Sequence, residues 1–169
     1  MTNVYADTKM HAEERAAETS VHGLPKAAAT LAYAGALPLL GAALALVAAP
    51  GAQSALWHAF MIVYGGALLA FFGGVRWGVA VMKSEGPTIG GLLGAAAPLL
   101  AALPLFLPWA AQWKFVYLLV ALPVLLIDDL RATRRGSGAP AWYLGVRAPL
   151  TMLMEVAYLV AFVEMAKGA

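Results

Sequence analysis

The chain has 169 residues, of which 62% are hydrophobic and 12% charged, with a formal net charge of +2 and a mean hydropathy of +0.77. A soluble domain averages nearer half apolar and a quarter charged, so the excess points to helices embedded in a bilayer. The absence of cysteine excludes disulfides, thiolate metal centres, iron–sulfur clusters and a catalytic thiol, and no basic block points to nucleic acid as a partner.

Residues 1–26 read as a polar, cytoplasmic tail. They lack the basic start and apolar core of a secretory signal, and Glu13, Glu14 and Glu18 speak against a mitochondrial transit peptide. His11 and His22 in this tail read as solvated side chains rather than as metal ligands. Residues 27–169 read as a single domain: an all-α, polytopic membrane helix bundle of about five transmembrane helices, several of them proline-kinked.

The first span is expected over 27–49, with a kink at Pro38, because proline removes a backbone donor and crowds the preceding turn. The second is expected over 54–82, longer than the roughly 20 residues a bilayer needs, and therefore tilted or protruding. Within it Gly66, Ala70, Gly74 and Gly78 recur every four residues, a small-residue stripe that lets two helix backbones approach closely. Arg76 lies off that stripe, on a face shared with Gly65, Leu69, Phe72 and Gly73. One face is thus expected to pack and another to carry the charge.

Residues 83–87 form a turn by composition. The third span, 88–107, holds Pro98 and Pro104 and is expected to be bent or broken; the fourth, 109–127, follows Pro108 and carries Pro123. A re-entrant hairpin made of these two segments is the alternative. Asp128 and Asp129 close the fourth span, and 130–149 is the only long loop, in which Pro140–Tyr143 starts a short helix lying in the headgroup layer. The fifth span is expected over 150–165.

Five spans place the two ends of the chain on opposite sides. With the tail cytoplasmic, Lys9, Arg15, Lys26, Lys83, Arg131, Arg134, Arg135 and Arg147 lie inside, and only Lys114 and Lys167 outside, as the positive-inside rule prefers. Trp57, Trp109 and Trp113 then mark the outer boundary, and Trp77, Trp142 and Tyr143 the inner one.

Three motifs, FFGGVRWG in the second span, LLIDDLR at the end of the fourth and PAWYLGVRAPLT leading into the fifth, together resemble one family. It is the small membrane-protein family of unknown function typified by the animal mitochondrial transmembrane protein 69, and the resemblance covers about Leu31 to Val160. It implies a multi-span protein of bacterial inner membranes or mitochondria and brings no activity, substrate or cofactor. The positions it singles out are Gly73, Gly74, Arg76, Trp77, Gly78, Asp128, Trp142, Tyr143 and Arg147. The composition of the tail and the Ala/Gly/Leu bias suit a bacterial member.

An arginine at mid-helix costs about 2.5 to 3.5 kcal/mol on insertion scales. Arg76 sits roughly 10 Å from the inner end of its span at about 1.5 Å per residue. It either snorkels to the headgroups or finds a partner inside the bundle. Glu155 is the first candidate, at matching depth, on a face of the fifth span shared with Arg147, Thr151 and Tyr158. The rival arrangement pairs Arg76 with Asp128, and Glu155 with Arg147. Asp128 and Asp129 end a helix whose macrodipole they oppose, so they are either solvated or compensated by Arg147, Arg131 or Arg76.

His58 and Glu164 read as interfacial residues near the outer face, since haem ligation between helices needs a second membrane histidine. No Ser/His/Asp set, phosphate loop or carboxylate dyad is visible, and no catalytic, cofactor-binding or metal-binding residue is expected. The expected function is therefore that of a non-catalytic protein of the bacterial inner membrane. It would be an accessory or assembly subunit in contact with lipid and with another integral membrane protein or copies of itself. The alternatives are a small transporter or channel with Arg76 and Glu155 on its pathway, and a quinone- or lipid-headgroup-binding protein built around Arg76, Trp77 and Tyr158.

Overall fold

A computed structural model describes residues 25–48, 51, 53–136, 138–140 and 142–167; the polar tail with His11 and His22 lies outside the described residues. The described chain is helical throughout: α1 (Lys26–Ala34), α2 (Leu37–Ala48), α3 (Ser54–Val81), α4 (Ile89–Ala102), a 3₁₀ turn (Leu103–Phe106), α5 (Ala111–Arg134) and α6 (Tyr143–Lys167). These helices are apolar nearly all round, so each buries one side and leaves the other against lipid. Leu39, Met61, Leu118 and Met154 are wholly buried, whereas Leu31, Leu44, Phe71 and Met152 are exposed.

The helices run up and down between two ends. At one end the C-terminus of α3, the start of α4, the last turns of α5 and the start of α6 surround a cavity. At the other, Leu46 of α2, the start of α3, Leu105, the start of α5 and the end of α6 border a second, wider opening. Segments α4 and α5 therefore each run the full distance between the ends and do not form a re-entrant hairpin. α3 packs on α2, α4 and α5, and α6 packs on α1, α2 and α5. Four stretches, Lys26–Ala48, Ser54–Val81, Ile89–Phe106 and Tyr143–Lys167, are long and apolar enough to cross a membrane. The fifth long helix, α5, carries Lys114, Asp128, Asp129, Arg131 and Arg134 and is not among the four.

The first stretch is interrupted at Gly35–Ala36, so Pro38 falls in the first turn of α2, where a missing N–H costs no intrahelical bond. Tyr64 of α3 donates its hydroxyl to the Gly35 carbonyl at 2.7 Å, covering a backbone group that the interruption exposes. Pro98, Pro123 and Pro149 lie inside continuous helices.

The fourth and fifth segments are longer than expected. α5 does not stop at Ile127 but runs to Arg134, and α6 starts at Tyr143 rather than at 150, so no separate headgroup-layer helix forms at 140–143. The reason is local. After Pro123 no glycine or proline interrupts α5 before Gly136, which takes a φ of +76° and ends the helix, its N–H bonding to the Thr133 carbonyl at 3.0 Å. Asp128 and Asp129 thus sit inside a helix and Arg147 sits inside the next one.

The close-packing face of α3 also differs from expectation. Along Gly66, Ala70, Gly74 and Gly78, a side chain at Gly66 would meet Phe106 at 3.2 Å, but one at Gly74 or Gly78 would meet nothing within 4 Å. The stripe packs within the chain only at its Gly66 end, and Gly74 and Gly78 face open space. Close approach happens instead on the face of Gly65, Leu69, Phe72 and Gly73, the one that also carries Arg76. A Cβ at Gly65 would lie 2.6 Å from the Tyr158 hydroxyl and 2.8 Å from Leu118, and one at Gly73 would lie 3.0 Å from the Ala95 carbonyl of α4. One face does both jobs because the charge is itself buried between helices.

The two glycine faces make opposite predictions. Gly65→Ala should lower the melting temperature of the detergent-solubilised protein, since overpacking costs about 1–3 kcal/mol. Gly74→Ala should leave it unchanged or raise it slightly, because alanine is the better helix former by roughly 1 kcal/mol. Equal losses from both substitutions would contradict the assignment of faces.

Candidate functional site

Four charged side chains meet where α3, α5 and α6 converge. Asp129 of α5 is the hub: its Oδ1 accepts from Arg76 Nε at 2.8 Å and its Oδ2 from Arg147 Nε at 3.3 Å. Arg76 Nη1 also donates to Asp128 Oδ2 at 2.8 Å. Two arginines thus face two aspartates, and the cluster is neutral.

Its position follows from the backbone. Gly73 lets α4 come within contact of α3, and this puts the Gly94 carbonyl within 3.3 Å of Arg76 Nη1. That carbonyl would ordinarily accept from the residue four positions on, but Pro98 has no N–H to give. Arg76 supplies the missing donor. Its Nη2 donates to the Leu125 carbonyl of α5 at 3.1 Å. Both terminal nitrogens and Nε of Arg76 are therefore engaged, and the side chain ties α3 to α4 and α5 together.

Arg147 is deeper. Only 1% of its side chain is exposed, against 15% for Arg76, 6% for Asp129 and 61% for Asp128. Its Nη1 donates to Thr151 Oγ1 at 2.6 Å, and Thr151 in turn donates to the Arg147 carbonyl at 2.9 Å. The guanidinium carbon lies 3.4 Å from the centroid of the Phe72 ring, a cation–π contact worth more here than at a wet surface. Nη2 of Arg147 and the hydroxyl of Tyr143, one turn earlier, are buried beside each other with no further hydrogen-bond partner.

The residues expected to form the polar cluster divide into three groups. Arg76, Asp128, Arg147 and Thr151 come together. Glu155 does not join them: Arg76 pairs with the aspartates, Glu155 makes no ion pair among the described residues, and its Oε1 is buried and unpartnered. Tyr158 is elsewhere in the core, donating to the Met61 carbonyl at 3.2 Å through the gap that Gly65 leaves. Trp77 and Trp142 are exposed, and Tyr143 is half-buried at the cavity wall. At the far end His58 Nε2 donates to the Ala161 carbonyl at 3.3 Å, and Lys167 pairs with Glu164 at 2.6 Å.

Two participants escape a search for isolated membrane charges: Phe72 under Arg147 and the Gly94 carbonyl. Asp129, expected with Asp128 to be either solvated or compensated by Arg147, Arg131 or Arg76, is compensated by both Arg76 and Arg147.

Beside the cluster lies a cavity of about 350 Å³. Arg76 and the two aspartates form one side. Val75, Val79, Ala95, Pro140, Trp142 and the first glycines of α4 form the rest, with Lys83 and Thr133 near the mouth. The arginine N–H groups on this side are already committed, so the cluster presents neither a free acid–base pair nor a nucleophile. Its chemistry is that of a clasp.

Removing one member of a buried ion pair leaves the other charge stranded, at a typical cost of about 3–5 kcal/mol, whereas a solvent-exposed pair is worth about 0–1 kcal/mol. Asp129→Ala should therefore destabilise the protein severely and Asp128→Ala only mildly, measured by thermal or denaturant melting in detergent. In a double-substitution cycle Arg76→Ala and Asp129→Ala should be far from additive, and Arg76→Ala with Glu155→Ala should add within about 0.5 kcal/mol. Strong coupling to Glu155 would overturn the pairing described.

Neither a curated protein nor a solved structure shows significant similarity to the chain. One family does match, over residues 24–163, and is described as a protein of unknown function, DUF3429. That match takes in every helix of the bundle as far as the last turn of α6, with the whole four-charge clasp, and the chain belongs to this family.

Proposed function

We propose that the protein is a non-catalytic subunit of the bacterial inner membrane that assembles with another integral membrane protein or with a second copy of itself. The observation that carries this reading is the outward stripe of α3. Gly74 and Gly78 have open space where a side chain would be, although the opposite face of the same helix is packed as closely as glycine allows. In a membrane, helices associate by van der Waals packing, and small residues bring backbones into reach. A glycine-lined face turned to lipid forgoes that contact; the same face turned to another helix gains it. The clasp adds support, because Arg76 is saturated by partners within the chain rather than held ready for a passing substrate.

The orientation proposed puts the clasp end in the cytoplasm, with α1 starting inside and α6 ending in the periplasm. Lys83, Arg131, Arg134 and Arg135 cluster at the clasp end, and Lys114 and Lys167 at the other. The tail before Pro25 is placed in the cytoplasm by the same reasoning. The kinship with the animal mitochondrial transmembrane protein 69 is supported by the three motifs in their order.

Purification in a mild detergent followed by native electrophoresis tests the assembly. The protein should migrate as a complex of fixed stoichiometry, Gly74→Leu and Gly78→Leu should dissolve it, and the melting temperature of the released chain should be unchanged. A complex that survives both substitutions, or a monomer throughout, would refute the reading. Reporter fusions in the loop after Val81 and beyond Lys167 should report opposite sides of the membrane.

A further inference from the structure

The cavity beside the clasp has features the clasp does not use. With room for about a dozen water molecules at about 30 Å³ each, it is walled mainly by valine, alanine, proline, tryptophan and glycine, which give water few partners. Lys83 stands at the mouth without an ion pair among the described residues. Arg131, Arg134 and Arg135, at the end of the helix that supplies Ala132 and Thr133 to the wall, are equally uncompensated. The clasp itself is neutral, so among the described residues the charge left at this end is that of Lys26 and those four cations against Glu85.

An apolar slot that starts at the level of the helix ends and opens under a cationic rim fits an amphiphile with an acidic head. We infer that this cavity binds an anionic acyl lipid, whose acid oxygens accept hydrogen bonds from Lys83 while its chain lies along Val75, Val79 and Trp142. A soluble anion would leave the apolar wall unsatisfied, and a neutral amphiphile would gain nothing from the rim. The acid can be the phosphate of a bilayer phospholipid or the carboxylate of a free fatty acid. Both offer the same acceptor oxygens on an acyl chain.

The test uses the full chain in a neutral maltoside detergent, with binding read by native mass spectrometry and by the rise in melting temperature on titration. The probes are palmitoyl-oleoyl phosphatidylglycerol, the corresponding phosphatidylcholine, and oleate. Phosphatidylglycerol or oleate should bind one to one and raise the melting temperature, and phosphatidylcholine should bind at least about tenfold more weakly, as expected for losing a hydrogen bond to a charged group. Whichever acid binds more tightly identifies the source. Lys83→Gln should leave the lipid-free melting temperature unchanged while weakening the acidic lipid about tenfold, and Lys114→Gln, at the far end, should not weaken it. The proposal falls if phosphatidylcholine binds as well as the acids, if neither acid binds, or if Lys83→Gln leaves the affinity intact.

Discussion

Asp129 held between Arg76 and Arg147 is the contact on which the rest of the bundle depends. Each of the three charges would be expensive alone in an apolar interior. Together with Asp128 they cancel, and the geometry that allows cancellation is narrow. α5 must run on past Ile127 to present both aspartates on a helical turn, α6 must start early enough to bring Arg147 level, and α3 must turn its glycine face inward so that Arg76 points between them. A slip of one residue in any of these helices would rotate a charge by about 100° away from its partner. The cluster therefore fixes the relative rotation and height of three helices, whether or not it adds net stability over a well-packed apolar alternative.

The other polar contacts solve a different problem, that of backbone groups left without a donor in a water-free interior. Each is answered by a side chain from a neighbouring helix. Tyr64 covers the Gly35 carbonyl at the interruption of the first stretch, Tyr117 donates to the Ala101 carbonyl at 2.6 Å near the end of α4, and Arg76 covers the carbonyl that Pro98 orphans. Tyr158 and His58 donate to carbonyls inside facing helices where the backbone is regular, adding further cross-links. Tyrosine suits the task because its ring packs as an apolar body while its hydroxyl reaches the backbone. The helix irregularities are thus joined to tertiary contacts and hold the helices to one another.

How legible this was in the sequence depended on which physical signal a feature leaves. The helices in the second and third stretches begin and end near the expected bounds, because each stretch is flanked by glycine, proline and charged turns: Ser54–Val81 is helical where 54–82 was expected, and Ile89–Phe106 where 88–107 was. The ends of α5 and α6 were misplaced because hydropathy treats Asp128, Asp129 and Arg147 as residues leaving the membrane. It has no way to register that they neutralise one another. Glu155 was chosen over the aspartates on depth, opposite charge and the polar face it shares with Arg147, Thr151 and Tyr158. Depth along a helix follows from counting residues, but the direction a side chain faces depends on how that helix is rotated against its neighbours, and α6 is rotated so that Arg147 and Thr151, rather than Glu155, meet the cluster. The direction in which the glycine stripe looks is hidden for the same reason. Spacing shows that Gly66, Ala70, Gly74 and Gly78 share a face; it does not show whether that face looks inward. The buried pair Gly65 and Gly73 is separated by Leu69 and so gives no small-residue repeat at all.

The neutrality of the clasp has an electrostatic consequence for the whole molecule. Arg76 and Arg147 are the two cations deepest in the bundle, and if they were uncompensated they would dominate the potential at that end. Because the aspartates absorb them, the outward field of the described residues comes from the rim: Lys26, Lys83 and the arginines at the end of α5. Those charges lie where the helices emerge and are screened only over about 8–10 Å at physiological salt. Burying a balanced cluster and leaving an unbalanced rim separates two tasks that a single set of arginines could not perform together. The inner set locks helix against helix and is indifferent to what lies outside. The outer set is free to interact with the membrane surface and with whatever approaches it, without any change in the packing beneath.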